Sequence, residues 1–275
     1  MLGRDAVLAA SNAGHVVSAQ ARTELDVTDA DAVAARFERD RPDVVVNCAA
    51  WTDVDGAEEA EDRAMAVNGS GAGNVAAAAA IVGAKVVYVS TDYVFDGQKD
   101  APYVEADQPA PLSAYGRTKL AGEEATAAAN RHHFIVRSSW LFGIGGRNFV
   151  ETMLQLAADH GEVLVVRDQV GSPTYTWHLA SGIVRLIEGT SYGIHHMAAQ
   201  GSCSWYDFAR EIFDQARVEC KVLSGTTDML SRPAPRPAYS ALESGREAPI
   251  LLPHWRDGLA GYLAQREAER EVAQA

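Results

Sequence analysis

Three short runs rich in β-branched residues, Asp43 to Ala49, Lys85 to Ser90 and His133 to Arg137, recur through the first half of the chain. Each is continuous rather than alternating, the pattern of a strand buried on both faces of a parallel sheet. Helical stretches lie between them: Asp29 to Arg39 after the cap-like Thr28, Ser70 to Ile81, and Ala114 to Ala128 behind the cap Ser113. A short strand is expected at His15 to Ser18, after a helix from Asp5 to Ser11. Strand and helix in alternation require right-handed crossovers, so the fold class is α/β with a doubly wound parallel sheet of Rossmann type.

After Gly143 the rhythm loosens. Helices are expected at Asn148 to Asp159, Trp177 to Glu188 and Trp205 to Ala216, and strands at Glu162 to Val166 and Gly193 to Met197. Leu223 to Pro237, with Pro233, Pro235 and Pro237, reads as a loop, and a last amphipathic helix runs from Trp255 to about Glu271 into a charged tail expected to fray. Residues 1–143 then form a Rossmann-type domain carrying the reactive side chains. Residues 144–275 form mainly a smaller lobe, with some segments returning to the sheet.

A net charge of −13 argues against nucleic acid or an anionic membrane as a general partner. Cys48, Cys203 and Cys220 are odd in number and widely spaced, which suggests neither a disulfide framework nor a zinc site; they read as core thiols in a reducing cytoplasm. The longest apolar stretch, Val75 to Val82, falls well short of a membrane span, and no basic-then-apolar leader follows Met1. A cytoplasmic protein with no metal site is the expectation.

Ligands of such a sheet bind beyond the carboxyl ends of the strands. Three exits matter there: Asn47 to Trp51, whose alanines Ala49 and Ala50 let a ligand approach the backbone; Ser90-Thr91; and Ser138-Ser139-Trp140. Tyr115 and Lys119 stand four apart on one helix face above them. An ammonium near a phenol lowers its pKa from about 10 towards working pH, and a Ser90 or Thr91 hydroxyl could hold the carbonyl oxygen that Tyr115 protonates. Singly, each residue has an ordinary structural reading: Asn47 as a turn cap, Ser138 bonding backbone, Trp140 as core. Their joint placement favours hydride-transfer chemistry.

The segments Asn-Cys-Ala-Ala-Trp-Thr-Asp-Val-Asp (47 to 55), Val-Ser-Thr-Asp-Tyr-Val-Phe-Asp-Gly (89 to 97), Tyr-Gly-Arg-Thr-Lys-Leu-Ala-Gly-Glu (115 to 123), Arg-Ser-Ser-Trp-Leu-Phe-Gly (137 to 143) and Asp-Gln-Val-Gly-Ser-Pro-Thr (168 to 174) together resemble the dTDP-4-dehydrorhamnose reductases, a family of extended short-chain dehydrogenase/reductases. The likeness covers nearly the whole chain. It implies NADPH- or NADH-dependent reduction of the C4 ketone of dTDP-4-dehydro-L-rhamnose to dTDP-L-rhamnose, a nucleotide sugar for cell-surface polysaccharide. By the resemblance Tyr115 is the proton donor, Lys119 holds the nicotinamide ribose and lowers the Tyr115 pKa, and Thr91 steadies the carbonyl oxygen. Asp92, Tyr93 and Trp140 line the sugar-nucleotide site. Arg232 and Arg236, in the proline-rich loop, are candidates for the substrate diphosphate because guanidinium forks suit phosphate oxygens, and they also read as surface arginines. Leu2, Gly3, Asp26, Val27, Ala49, Ala50 and Trp51 face the cofactor. Arg22 suits a 2′-phosphate and also reads as a solvated loop arginine. The resemblance further admits a homodimer and Mg2+ at a subunit interface. Two alternatives stay open: an epimerase or dehydratase of the same superfamily, and a non-catalytic regulatory subunit on the same fold.

The family opens with a strand and a Gly-x-x-Gly-x-x-Gly loop that cradles the pyrophosphate. Met1-Leu2-Gly3 begins at what matches the last of those glycines, so the expectation is an N-terminal truncation, with the strand and loop encoded upstream and weak dinucleotide binding by the chain as written. The later Gly143-Ile-Gly-Gly146 is expected on the substrate side.

Overall fold

A computed structural model describes residues 1–274. Its main sheet is formed by β1 (Val44–Asn47), β2 (Lys85–Thr91), β3 (His133–Ser138) and the strand Gly193–His196, all parallel and in that order. The period-two alternation of side chains sorts the valines: Val87 with Phe134 and Val136 faces helices α1 (Leu2–Asn12) and α8 (Thr176–Ile187), whereas Val86 faces α2 (Ala30–Asp40) and α5 (Gly71–Ile81). Both faces are therefore dry, as the continuous apolar runs require. A separate core lies among α7 (Phe149–Asp159), α9 (Trp205–Ala216) and α10 (Trp255–Gln274), around Phe142, Phe208, Ile212, Trp255 and Tyr262.

Several local expectations need correction. His15 to Ser18 is not a strand: among the described residues no strand pairs with it, and an extended segment without ladder partners stays in solvent, with Val16 fully exposed. The cap of α2 is Asp29, whose side chain accepts from Ala32 N; Thr28 instead donates to Asp26. The helix expected from Ser70 begins at Gly71 and continues from α4 (Glu61–Met65) through a π-helical turn, Ala66–Ser70. A short α3 (Val54–Glu59), capped by Asp53, precedes it. Leu223 is not loop, because Lys221–Gly225 pairs in parallel with Glu162–Val166, and the irregular chain starts only after Gly225 apart from one 3-10 turn. Of the free cysteines only Cys203 is fully buried, while Cys48 and Cys220 are half-buried.

Candidate active site

The site is assembled where β2 ends and α6 (Ala114–Ala129) begins. β2 hands over to a 3-10 turn, Asp92–Val94, capped by Thr91 Oγ1, which accepts from Tyr93 N at 3.2 Å. Ser113 Oγ caps α6 by accepting from Gly116 N at 3.1 Å, and Glu58 accepts from Ala114 N at 2.7 Å. A cap of this kind stabilises a helix end by about 1 kcal/mol. Its position in the first turn makes Tyr115 dependent on that end for its placement.

Within this frame Tyr115 lies beside the Thr91 hydroxyl, whose nearness favours the phenolate, and meets the Tyr93 ring edge-on at 5.7 Å. Lys119 is buried and donates from Nζ to Val89 O at 2.7 Å, with the Tyr88 ring 4.1 Å below the ammonium. The expectation of a lowered Tyr115 pKa is overturned. Burial pushes the phenol up to about 12, and Lys119 is itself lowered to about 7 by the same desolvation. Asp92, fully buried, is raised to about 7; its oxygens accept from Thr91 Oγ1 at 3.1 Å and Ser240 Oγ at 2.5 Å.

Beneath these groups, Glu123, one turn beyond Lys119, takes both oxygens to Arg137 (2.9 and 2.6 Å) and accepts from Ser90 Oγ at 2.5 Å. This buried pair joins α6 to β2 and β3. Asn68, on the π-helical turn, does the same for the opposite wall: its amide accepts from Trp51 N (2.8 Å) and donates to Trp51 O (3.2 Å) and Thr118 Oγ1 (3.0 Å). Neither Asn68 nor Ser240 was singled out from the sequence. An asparagine in an alanine- and glycine-rich run, a feature shared with Asn74, was the available signal for Asn68, and π-turns favour functional sites.

The residues expected at the cofactor fall as follows. A Cβ on Gly3 would lie 3.7 Å from that of Cys48, which places the start of α1 against the β1 exit, and Cys48 feels both Lys119 and the N-terminal amine. Trp51 and Tyr115 pack against the same small cluster of Ala57, Ala64 and Ala114, and Ala49 N is held by Asn47, so Asn47 is a turn cap. Val27 O accepts from Asn74 at the N-terminal end of α5, while Asp26 is engaged by Thr28 and Arg22. Gly143 to Gly146 is not remote from this side: Gly145 and Gly146 lie against Arg4 and Met1 at the start of α1, and Asn148 donates to the carbonyls of Gly143 and Gly146. The first-turn amides of α1 and the buried Lys119 fit a dinucleotide's phosphates and ribose.

On the other side, Arg232 and Arg236 are both held by Asp55, at 3.2 and 2.9 Å, and Arg236 also donates to Ala234 O at 2.9 Å. Trp140, in a left-handed conformation (φ 49°), stacks on Trp205 at 3.4 Å. A side chain at Gly171 would collide with that indole. Among the described residues no three His, Cys, Asp or Glu side chains group as a metal site, and no helix is long and apolar enough to cross a membrane.

The family model described as "RmlD substrate binding domain" matches residues 1–268. The chain is 41% identical to the spore coat polysaccharide biosynthesis protein SpsK of Bacillus subtilis, over 97% of this chain and 95% of that protein. It is 44% identical to the dTDP-4-dehydrorhamnose reductase of Mycolicibacterium smegmatis, over 96% and 82%. A crystal structure of dTDP-4-dehydrorhamnose reductase from Bacillus anthracis in complex with NADP is similar with a TM-score of 0.94 and 38% identity, over 96% and 95% of the chains.

Proposed function

This chain belongs to the RmlD substrate-binding domain family of sugar-nucleotide reductases, and from that premise we propose that it reduces the C4 ketone of dTDP-4-dehydro-L-rhamnose to dTDP-L-rhamnose with NADPH. The observation that carries the reading is the Thr91–Tyr115 contact at the carboxyl end of β2, with Lys119 on the same helix face. When bound, the nicotinamide supplies hydride to C4. The protein supplies everything else. Thr91 and Tyr115 hold the ketone oxygen, and Tyr115 gives its proton to the alkoxide as charge develops there, so no oxyanion accumulates.

Lys119, which donates to Val89 O here, would hold the ribose hydroxyls, the α1 amides of Leu2 and Gly3 would hold the pyrophosphate, and Ala49 to Trp51 would border the nicotinamide half. Asp26 and Val27 serve the adenine end. The dTDP diphosphate takes Arg236 and Arg232 from Asp55, since guanidinium forks match phosphate oxygens better than a shared carboxylate. Asp92 and Tyr93 flank the sugar, and Trp140 offers its indole to the nucleotide. The residues to about 143 form the cofactor domain and those beyond mainly the substrate lobe. A cytoplasmic setting fits a soluble nucleotide-sugar substrate.

The test is NADPH oxidation with dTDP-4-dehydro-L-rhamnose. One NADPH consumed per product, with a loss of about 10²–10⁴-fold in Tyr115→Phe at unchanged dinucleotide affinity, is the expected result. Turnover without net NADPH consumption would instead point to an epimerase.

A further inference from the structure

Trp140 is held more tightly than a surface platform for a ligand needs to be. Ser138 pairs with Thr91 in register, and Trp140 follows two residues later, so its indole leaves the sheet beside the reacting groups. Its backbone is left-handed (φ 49°), a conformation that a bulky residue keeps only where its surroundings hold it there. Three contacts do so. Trp140 O accepts from Thr174 N at 3.2 Å, Gly171 makes room for the ring by having no side chain, and the Trp205 indole lies flat on Trp140 with 3.4 Å between centroids and 4° between planes. Trp205 is itself clamped. Ser204 caps its helix by accepting from Asp207 N at 3.0 Å, the Phe149 ring lies 4.4 Å away, and the Trp205 indole N–H donates to Gln169 Oε1 at 3.2 Å. The Gln169 amide donates in turn to Thr227 Oγ1 at 2.9 Å, at the head of the loop that carries Arg232 and Arg236.

Building on the reductase reading, we propose that Trp205 is a positioning residue for the sugar nucleotide: it fixes the plane of Trp140, and Gln169 ties that plane to the arginine-bearing loop. One face of Trp140 is taken by Trp205, so a nucleotide sugar meets only the surface that the pair leaves open. Without the stack, the Trp140 side chain gains rotamer freedom that binding must then remove, and its backbone loses a contact that offsets the left-handed strain. The loss falls on affinity for the sugar nucleotide. It does not fall on hydride or proton transfer, because the aromatic and polar partners of the Trp205 ring are Trp140, Phe149, Phe208 and Gln169, not Thr91, Tyr115 or Lys119.

Trp205→Leu should raise KM for the ketosugar, and the Kd of the product dTDP-L-rhamnose measured without cofactor, by about three- to tenfold. Its kcat and its KM for NADPH should stay within about twofold of the parent. Trp205→Phe keeps a ring for the stack and loses the N–H, and Gln169→Leu removes the acceptor; each should raise KM by about two- to threefold. The stacked indoles should give an exciton couplet in far-ultraviolet circular dichroism that is lost in Trp205→Leu and in Trp140→Leu. A double-mutant cycle separates positioning from mere packing. In a Trp140→Leu background, Trp205→Leu should change KM and Kd by less than about twofold, whereas a packing role would act in either background. An equal rise in both backgrounds, or loss of the couplet with KM and Kd unchanged, overturns the proposal while leaving the reductase reading intact. A parent that binds dTDP-L-rhamnose but consumes no NADPH overturns the reductase reading, and the cycle in Kd then decides on Trp205 alone. A parent that does neither overturns both.

Discussion

Gly122 offers a severe test of how the site is held together. A Cβ built there would lie 2.1 Å from Asn68 O and 2.3 Å from the Tyr88 hydroxyl, far inside contact distance. Two effects of Gly122→Ala oppose each other. Alanine in a helix interior is favoured over glycine by about 1 kcal/mol, whereas forced overpacking of a filled interior costs about 1–3 kcal/mol. Neither neighbour can turn aside: one is backbone, and the other is a hydroxyl donating to Asn68 O at 2.9 Å. The relief must come from α6 retreating by about 1 Å, and a displacement of that size at a reacting group lowers rate by about 10²-fold. The expected signature is thus lopsided, a melting temperature a few degrees below the parent but a kcat near one hundredth of it. Calorimetry and NADPH oxidation measure the two separately. Gly261→Ala is the control, because its Cβ would sit 3.4 Å from the Tyr175 ring within α10, an ordinary contact. It should gain about 0.5–1 kcal/mol and keep full activity. If Gly122→Ala were stabilised and fully active like the control, close approach of α6 to the π-helical turn would not be what positions Tyr115 and Lys119.

Three further outcomes follow from the same contacts. Glu123→Gln leaves the Arg137 guanidinium buried beside a neutral partner and should lower unfolding free energy in urea by about 3–5 kcal/mol, part of which Glu123→Gln/Arg137→Met should recover. Asp55→Asn frees Arg232 and Arg236, so KM for the sugar nucleotide should fall by about two- to fivefold while stability drops by no more than about 1 kcal/mol. Lys119, lowered to about 7 from 10.5, is deprotonated in the folded chain and protonated in the unfolded one between those values, so its burial penalty is full below about 7 and is relieved as pH rises towards 10.5. The stability advantage of Lys119→Met over the parent should therefore shrink across that window in urea unfolding at a series of pH values.

The fold was readable where local and global preferences agree. β1, β2 and β3 are continuous β-branched runs and form because both sheet faces are covered; Ser113 was recognisable as a cap because a single cap-type residue precedes the alanines. At Thr28-Asp29 two cap-type residues are adjacent, and only the geometry at Asp26 decides which one turns back on the helix. His15 to Ser18 has strand composition, but a strand is a property of a pair, and composition cannot supply the partner. Lys221–Gly225 failed in the opposite way: downstream prolines suggested loop, while Glu162–Val166 provides a ladder. Asn68 was hidden because a π-turn has no strong sequence signature, and Ser240 because its importance lies in contact with a residue 148 positions away.

The electrostatic character of the crevice was the least legible part, and it decides which groups hold a proton there. Tyr-x-x-x-Lys spacing by itself suggests a phenolate beside an ammonium, which is the state an enzyme needs to remove a proton from an alcohol. Burial produces the reverse: Tyr115 is raised to about 12, Asp92 is raised to about 7 and Lys119 is lowered to about 7, each chiefly by desolvation. Desolvation favours the neutral form of acids and bases alike, so the three shifts have one cause and opposite signs. A crevice so close to neutrality holds a protonated phenol backed by a carboxyl that still retains part of its proton. Such a site offers a protonated phenol to a developing alkoxide, and the same group takes that proton back in the reverse direction. These protonation states follow from how deeply α6 and the Asp92 turn are buried, which the four-residue spacing of Tyr115 and Lys119 does not encode.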